Sequence, residues 1–306
     1  MSNALIHIDI PGQPVSRSGK VRDLWDLGDR ILLAASDRLS AFDCILPTGI
    51  PDKGVLLNQL SAAWFRALAE VIPTHFLTDR VSDYPEPFRQ HEAILGGRSM
   101  LVRKAERLDI EFVVRGYLAG SGWADYCETG AISGHELPNG ILQAAQLPTV
   151  LLTPAIKSDV GHDENITEAE ARERLGAPYD EARRLSMALY RNLARYAESR
   201  GLLLADTKFE FGLIDGCVTL IDEIGTPDSS RYWDKAAYEP GRSPASFDKQ
   251  FVRDWLIASG WNRQPPAPAL PDEIVMRTRA RYEEAVRRLI DPAAPPDFRG
   301  EAWSWN

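Results

Sequence analysis

The chain has 306 residues, of which 44% are hydrophobic and 26% charged, as in folded proteins with one large domain or two modest ones. Its net charge of −9 argues against a general surface for nucleic acids or acidic membranes. No apolar run approaches about 18 residues and no signal-peptide pattern begins the chain, so we expect a cytoplasmic protein with no nucleic-acid or membrane partner.

The first predicted element is a β-hairpin over residues 15–35, with Ser18-Gly19-Lys20 at its entry. A glycine at this place allows backbone amides to approach a phosphate, and Lys20 and Arg22 project from one side of the following strand. By itself, so short a motif is more typical of an ordinary hairpin than of a phosphate-binding loop. Lys20 and Arg22 are therefore candidates that need support from the rest of the chain.

A polar, irregular segment rich in Pro and Gly follows over residues 36–54. Segments of this kind often carry functional side chains. The candidates here are Asp37, Arg38, Ser40 and Lys53. For Asp37 and Arg38 the alternative is a structural role in capping a turn.

An amphipathic helix is predicted over residues 55–71, where Leu60 and Trp64 recur at helical spacing and Pro73 ends the pattern. We interpret this helix as part of the core rather than of a site. The isolated His75 that follows is also interpreted as structural.

Residues 98–123 predict a strand, a charged turn and a second strand that runs into Ala-Gly-Ser-Gly. The break between the two strands is predicted to be an interdomain hinge, a place where adenine commonly binds. Arg115 ends the second β run and Ser121 lies in the turn beyond it. Together these two residues are candidates for binding a phosphate or a carboxylate.

A polar loop is predicted to end the β-like run of residues 147–166, and it contains Lys157, Asp159, His162 and Asp163. We favour a substrate-binding loop over a solvated one. A metal site is the weakest interpretation, because the spacing matches no established ligand set. Two helices follow this loop: the first is predicted by a capping box and the second by a recurring leucine face that ends in a glycine.

The segment 202–224 carries charged side chains inside what otherwise reads as buried β structure. Asp206, Lys208 and Glu210 alternate along the chain, so an extended strand projects them from one face. A desolvated carboxylate is costly unless it is paired or bound to a metal. One interpretation is an internal ion-pair ladder; the other is a site for Mg²⁺ and a nucleotide, with carboxylate oxygens for the metal and an ammonium for phosphate.

The Asp215-Gly216 pair is a hairpin signal, and the loop length decides where Asp222 lies. A two-residue loop pairs Glu210 with residue 221 and puts Asp222 on the opposite face. A three-residue loop, with Gly216 in the left-handed conformation, brings Asp222 to the face of Lys208 and Glu210. We predict the three-residue loop.

The last third of the chain contains a Pro-Asp-Ser-Ser turn that precedes Arg231, a plausible phosphate clamp. Helices are predicted over residues 246–260 and 272–291, with a proline-rich linker between them.

Five motifs in this order resemble the SAICAR synthetase (phosphoribosylaminoimidazole-succinocarboxamide synthase) family: SGKVRD, SDRLSAFD, VVRGYLAGS, LLLADTKFEFG and DEIGTPDSSRYWD. The match runs from about Val15 to Leu256, and its form is similar to the longer, fungal-type branch of the family. The resemblance implies ATP-dependent condensation of carboxyaminoimidazole ribotide with L-aspartate.

The implied fold is α/β (α+β), two-lobed and ATP-grasp-like, with antiparallel sheets flanked by helices. We expect a smaller β-rich lobe over residues 1–103 that covers the ATP phosphates. A larger lobe over residues 104–306 would hold the metal, ribotide and aspartate sites. We expect a monomer rather than a homodimer, with small molecules as its partners.

The resemblance also implies roles for individual residues. At ATP it places Lys20, Arg22, Glu210 and Asp222, and the last two would also bind Mg²⁺. We expect Lys104 to contact ATP as well. At the ribotide it places Arg115, Ser121 and Arg231. We expect further substrate contacts from Asp37, Arg38, Ser40, Lys53, Lys157 and Asp163.

Asp206 and Lys208 match the family's D-x-K signature and are the predicted catalytic residues. Asp206 is our hypothesis for the base that takes a proton from the aspartate ammonium. Its alternatives are a metal ligand or a structural partner.

Two other functions remain open at this point. A small-molecule kinase would use the same Mg²⁺, lysine and arginine groups but stop at phosphoryl transfer. A nucleotide-binding protein without catalysis is the second alternative.

Overall fold

The computed structural model describes residues 4–157, 164–247, 249–291 and 295–299, together with Trp303 and Trp305. Within these residues the chain forms seven α-helices and fifteen strands, and all paired strands are antiparallel. This mixed architecture of antiparallel sheets and helices confirms the expected fold class.

The strands are β1 Arg17–Ser18, β2 Arg22–Asp26, β3 Arg30–Ala35, β4 Ser40–Ala41, β5 Cys44–Ile45, β6 Phe76–Thr78, β7 Ser99–Arg103, β8 Glu106–Tyr117, β9 Ala131–Ile132, β10 His135–Glu136, β11 Gln146–Ile156, β12 Glu164–Asn165, β13 Leu202–Ile214, β14 Cys217–Ile221 and β15 Ser230–Asp234. The helices are α1 Lys53–Leu68, α2 Glu92–Leu95, α3 Gly120–Thr129, α4 Glu168–Leu175, α5 Pro178–Ser199, α6 Gln250–Ala258 and α7 Asp272–Leu289.

Two sheets dominate the structure. A five-stranded sheet in the order β1-β2-β3-β7-β6 uses residues before 104. A six-stranded sheet in the order β12-β11-β8-β13-β14, with β15 also on β13, uses residues after 105. The chain passes from one sheet to the other at Lys104 and Ala105. One hydrophobic core joins both sheets, because Leu33 and Met100 of the smaller sheet share a cluster with Phe209 of the larger one. The division into two lobes at residue 103 stays a prediction.

The long strand β13 lies at the centre of the larger sheet because its two faces have different chemistry. Phe209 and Phe211 point into the hydrophobic core, where α5 covers them with Leu185 and Leu189. Asp206, on the other face, is half-buried. The predicted leucine face of α5 is thus confirmed, as is the capping box that begins α4.

The hairpin between β13 and β14 has a two-residue loop, so the prediction of a three-residue loop is wrong. Ile214 pairs with Cys217, and Glu210 pairs with Ile221. Asp215 and Gly216 both have positive φ, 51° and 76°. These angles fit a tight turn of type I′, whose twist matches that of the flanking strands and which needs no third loop residue.

The C-terminal helices pack against the polar segment near the N-terminus. Leu39 and Ile50 share a core cluster with Val252 of α6 and Ile274 of α7. The first and last parts of the chain therefore stabilise each other. In the part of the chain that the structure describes, every helix is too short or too polar to cross a bilayer.

Candidate active site

One face of β13 brings the predicted acidic and basic residues together. The Lys208 Nζ lies 2.6 Å from Oε1 of Glu111 on β8 and 3.7 Å from Oε1 of Glu210. The other oxygen of Glu210 is paired with Lys157, which follows β11. Glu210 and Glu111 are 4% and 5% exposed. Lys208 thus lies between two buried glutamates, and Lys157 pairs with one of them, Glu210; the alternation along β13 predicted the shared face of Lys208 and Glu210.

Asp222 joins this group although the loop has two residues. The strand β14 ends at Ile221, and Asp222 itself has a φ of 70°. This left-handed conformation breaks the alternation that would otherwise send Asp222 to the face opposite Glu210. Oδ2 of Asp222 lies 2.6 Å from the guanidinium of Arg22, which begins β2. The two carboxylates therefore reach one site by a route that the sequence pattern did not predict.

The ionisation of these groups shows that they interact. Burial, and then the negative charge of Asp222, raises the pKa of Glu210 above its ordinary value. Burial alone would also raise the pKa of Asp222, but the charges of Arg22, Lys157 and Lys208 hold it well below the usual range. Because Lys157 and Lys208 act on both carboxylates, Glu210 and Asp222 lie in one electrostatic site.

Glu210 and Asp222 fit a magnesium ion by their chemistry. Mg²⁺ prefers hard oxygen ligands and is typically held by one or two carboxylates together with substrate phosphates. The pKa of Glu210 is raised first by burial and then by the charge of Asp222, and a divalent cation bound between the two carboxylates would stabilise both in their ionised forms. Within the described ranges, no group of three or more His, Cys, Asp or Glu side chains could hold a metal by itself. The donor set is thus of the kind that needs ligand oxygens to complete it.

The Ser18-Gly19-Lys20 loop is held by Arg38 and by the Ser18 hydroxyl, which donates to Asp23. The Arg38 guanidinium donates to the carbonyl oxygens of Gly19 and Lys20, at 3.2 and 3.3 Å, and pairs with Asp23 at 2.8 Å. Lys20 itself is half exposed and paired with Asp43. The backbone of the loop is therefore held by the buried Arg38 side chain, and Lys20 lies at the surface.

A second cluster lies at the other end of the same face of β13. Asp206 lies between two arginines: Oδ2 is 2.6 Å from Arg231 on β15 and 3.9 Å from Arg115 on β8. Arg115 also donates to Ser121 at 3.0 Å and to Thr153 at 2.9 Å. The predicted ribotide residues Arg115, Ser121 and Arg231 are thus brought together by two strands, β8 and β15, and by helix α3.

Gly120 and the start of α3 complete this second cluster. A Cβ atom at Gly120 would lie 2.6 Å from the Arg231 guanidinium, so a larger residue would displace that side chain. The N-cap of α3, Ala119, offers no side-chain hydrogen bond to the first turn. Two guanidinium groups, a hydroxyl and a helix N-terminus are groups that bind phosphate. The polar pocket beside them is lined by Ala119, Gly120, Gln143, Ala144, Arg231, Trp233, Ser243, Pro244, Ser246 and Gln250.

A third, buried cluster surrounds Asp228 in the turn before β15. Lys53, which is fully buried, lies 2.7 Å from Oδ2 of Asp228, and Lys249 lies 3.3 Å from the same oxygen. Tyr282 of α7 donates to Oδ1 at 2.7 Å. Burial lowers the pKa of Lys249, and the neighbouring Lys53 adds to this effect, although Asp228 opposes it.

Sequence reasoning missed Glu111, Asp228 and Lys249. Glu111 stands in a β run, and its partner Lys208 lies on the neighbouring strand β13 but 97 residues later in the chain, so the pair leaves no local pattern. Asp228 and Lys249 belong to motifs that were noticed, the Pro-Asp-Ser-Ser turn and the Ser-Phe-Asp-Lys segment, but nothing in the sequence indicates that they meet Lys53.

The remaining predicted residues are placed as follows. Asp37 is buried and accepts hydrogen bonds from the amide of Gly54 in α1 at 2.9 Å and from Arg98 at 3.0 Å. Its alternative role in a cap therefore has support, and direct substrate contact stays a prediction. Ser40 lies in β4, half-buried. Lys104 is paired with Asp26 at 2.6 Å on the surface, near the passage between the sheets. Asp159, His162 and Asp163 lie outside the described residues.

An apolar pocket lies between the five-stranded sheet and α1, which otherwise pack against each other. Leu33 and Met100 line it from the sheet, and Arg22, Lys53 and Glu223 also line it. This pocket connects the neighbourhood of the acidic cluster with that of Asp228.

Comparisons with known proteins agree on one family. A family model described as SAICAR synthetase matches residues 15–268. A phosphoribosylaminoimidazole-succinocarboxamide synthase from Methylobacillus flagellatus is 49% identical over 294 residues, which cover 94% of this chain and 98% of the relative. One from Desulfosudis oleivorans is 48% identical over 292 residues, covering 95% of this chain and 100% of the relative.

Solved structures give the same result. The SAICAR synthase of Saccharomyces cerevisiae, complexed with SAICAR, has a TM-score of 0.84 at 38% identity and covers 94% of this chain and 98% of its own. A SAICAR synthetase in complex with ADP has a TM-score of 0.64 at 26% identity and covers 92% and 99%. The greater similarity to the yeast structure agrees with the expected fungal-type form.

Proposed function

The chain belongs to the SAICAR synthetase family, and from this premise we propose how the residues of its site divide the reaction. The enzyme condenses carboxyaminoimidazole ribotide with L-aspartate in purine biosynthesis and converts ATP to ADP and phosphate. The small-molecule kinase alternative is not favoured, because the relatives share the name of the ligase over almost their whole length.

The chemistry requires activation of the ribotide carboxylate, which is a poor acyl donor. We propose that one carboxylate oxygen attacks the γ-phosphorus of ATP, so that an acyl phosphate forms and ADP leaves. The amine of L-aspartate then attacks the acyl carbon, phosphate leaves, and the nitrogen loses a proton as the amide forms.

The order of groups along β13 carries the proposal. Glu210 lies at one end, near Asp222 and Arg22, and Asp206 lies at the other, between Arg115 and Arg231. These ends are four residues apart, or about 13 Å along an extended strand. That length is enough for nucleotide phosphates at the Glu210 end and the ribotide phosphate at the Arg231 end, with the reacting carboxylate between them.

We propose that Glu210 and Asp222 hold the Mg²⁺ that accompanies ATP. When bound there, the ion would neutralise charge on the phosphoryl oxygens. Arg22, which begins β2 just after the Ser18-Gly19-Lys20 loop, pairs with Asp222, and this places the loop beside the proposed phosphate site.

Lys208 lies midway between Asp206 and Glu210 on β13, and its charge indicates which part of the reaction it can serve. Burial lowers its pKa, but Glu111, Glu210 and Asp222 more than offset this effect and raise the pKa well above its ordinary value. Lys208 is therefore a permanent cation, suited to the transferred phosphoryl group and not to proton abstraction. Asp206 stays our proposal for the base, and Arg231 fixes its orientation.

A coupled assay of ADP release, with each substrate omitted in turn, tests the proposed function. We expect sustained ADP release only with ribotide, L-aspartate and Mg²⁺-ATP together, and an amide product by mass spectrometry. L-Malate, which has both carboxylates of aspartate but no amine, is the matched control and should give no amide. Stoichiometric ADP with a phosphorylated ribotide and no amide would instead indicate a kinase.

We propose a cytoplasmic location and a monomeric state as well. The three free cysteines, Cys44, Cys127 and Cys217, suit a reducing compartment. Gel filtration with light scattering would measure the oligomeric state directly.

A further inference from the structure

Tyr190 of α5 carries a buried hydroxyl group that none of the steps above uses. The residue is 3% exposed, and its hydroxyl donates to the carbonyl oxygen of Leu204 on β13 at 2.7 Å. Burial raises the pKa of Tyr190 well above its ordinary value, so the phenol stays protonated and remains a donor. A polar group of this kind, inserted from a helix into a sheet, needs a structural reason.

The hydroxyl lies where the two central strands stop pairing. The pairing of β13 with β8 ends at Asp206 opposite Arg115. Beyond that point β13 pairs only with β15, across an irregularity between Leu204 and Asp206. A Cβ atom on Gly116, the residue after Arg115, would lie 2.0 Å from the Tyr190 oxygen. The hydroxyl therefore occupies the space between β8 and β13 immediately behind the Arg115–Asp206 pair.

Both strands contribute residues to the second cluster near this place. After Gly116, β8 ends at Tyr117 and the chain enters α3, which carries Ser121. Across the irregularity, β13 meets Arg231 on β15. Because Gly116 lies directly against the Tyr190 oxygen, which itself donates to Leu204, the hydroxyl contacts both strands where their direct pairing has ended. One side chain thus lies between the two strands at this point.

We propose that Tyr190 is a positioning residue for the ribotide-phosphate site. Its hydroxyl holds β8 and β13 apart just beyond Arg115 and Asp206, so that Arg115, Ser121 and Arg231 converge on one anion. This inference rests on the proposed assignment of those three residues to the ribotide. It concerns a residue behind the site that touches no substrate.

The test compares Tyr190→Phe with Tyr196→Phe. Tyr196 lies on the same helix and donates its buried hydroxyl to the carbonyl of Leu289 in α7 at 3.2 Å, remote from β8. Each substitution removes one buried hydroxyl-to-carbonyl hydrogen bond and retains the ring. The melting temperatures of both variants show whether the two losses of stability are comparable.

We expect Tyr190→Phe to raise the KM for ribotide about tenfold and to leave the KM for ATP unchanged. A tenfold change is the size expected if the free energy of one buried hydrogen bond is lost from ribotide binding. Tyr196→Phe should leave both KM values unchanged. Gly116→Ala, which crowds the hydroxyl from the other strand, should reproduce the ribotide effect if the variant folds. A general loss of stability would not separate the two KM values.

Two outcomes would overturn the inference: an unchanged ribotide KM in Tyr190→Phe, or equal increases in the KM values for ribotide and ATP. Arg231→Gln separates this failure from failure of the proposed function. If Arg231→Gln raises the ribotide KM and Tyr190→Phe does not, only the positioning role fails. If neither variant affects it, the ribotide assignment itself fails.

Discussion

Glu210 is the residue whose surroundings most directly determine what binds at the nucleotide end of β13. It is buried, lies near a second carboxylate, and shares two lysines with it. The sequence predicted this residue from the alternation of charges. It did not predict Glu111, because partners on separate strands leave no mark on local spacing.

Replacing Glu210 by Gln should remove Mg²⁺-dependent activity. We expect kcat/KM for ATP to fall by a factor of about 100 or more, since a neutral amide is a poor ligand for Mg²⁺ and leaves the nearby lysines uncompensated. The measurement is ADP release against Mg²⁺ concentration. The control is Asp215→Asn at the exposed tip of the same hairpin, paired with Arg103, which should behave as wild type. Wild-type activity in Glu210→Gln would contradict the metal assignment.

Asp206 gives a second test at this scale. If it is the base, Asp206→Asn should lower kcat about 100-fold, within the range for loss of general base catalysis, at saturating substrates. The position between Arg231 and Arg115 suggests a distinct alternative. If Asp206→Asn instead raises the KM for ribotide and leaves kcat near normal, Asp206 is not the base and serves to orient the two arginines.

At the scale of elements, the β13–β14 hairpin shows where pattern reasoning failed. The sequence correctly predicted a hairpin at Asp215-Gly216 and a left-handed Gly216, but the loop has two residues. Asp222 still reaches Glu210's site because its own backbone is left-handed. An aspartate tolerates this conformation better than most residues, yet it adopts it only where the surroundings require it.

Gly216→Ala should destabilise this hairpin through backbone strain alone. No atom lies within 4 Å of a Cβ placed on Gly216, so crowding contributes nothing. We expect the free energy of unfolding to fall by about 1–2 kcal/mol, measured by chemical denaturation. Gly216→Asn is the control and should cost less, because Asn tolerates positive φ. Equal losses for Ala and Asn would show that φ is not the cause.

At the scale of the whole molecule, the Asp228 cluster connects three distant parts of the chain: α1 through Lys53, α7 through Tyr282, and the segment before α6 through Lys249. Burial by itself raises the pKa of Asp228, but the two lysines more than offset this and hold it well below the usual range. Ion pairs and a hydrogen bond to one buried carboxylate therefore hold these three parts of the chain together.

Asp228→Asn should destabilise the protein by about 3–5 kcal/mol, because it leaves buried lysines without their counter-charge. Because the folded pKa is depressed, the stabilisation is present above the unfolded pKa of about 4 and is lost as the pH falls below it. The difference between wild type and variant in urea unfolding should thus be constant from about pH 5 to pH 7 and shrink below about pH 4. Asp180→Asn, in an exposed pair with Arg172, should cost less than about 1 kcal/mol. A loss as small as that of the control would contradict the role of Asp228.

Local periodicity in the sequence predicts the face of β13 that carries Asp206, Lys208 and Glu210, and it predicts the main helices. The family follows from five short motifs in a fixed order along the chain. The tertiary fold sets the partners of those charges, because Glu111, Arg115 and Arg231 come from other strands. It also decided the geometry of Asp222, since a left-handed residue after a strand is imposed by surrounding contacts and not by the sequence pattern. The charged strand is thus readable from the sequence, but the site it forms depends on contacts between segments up to about 200 residues apart.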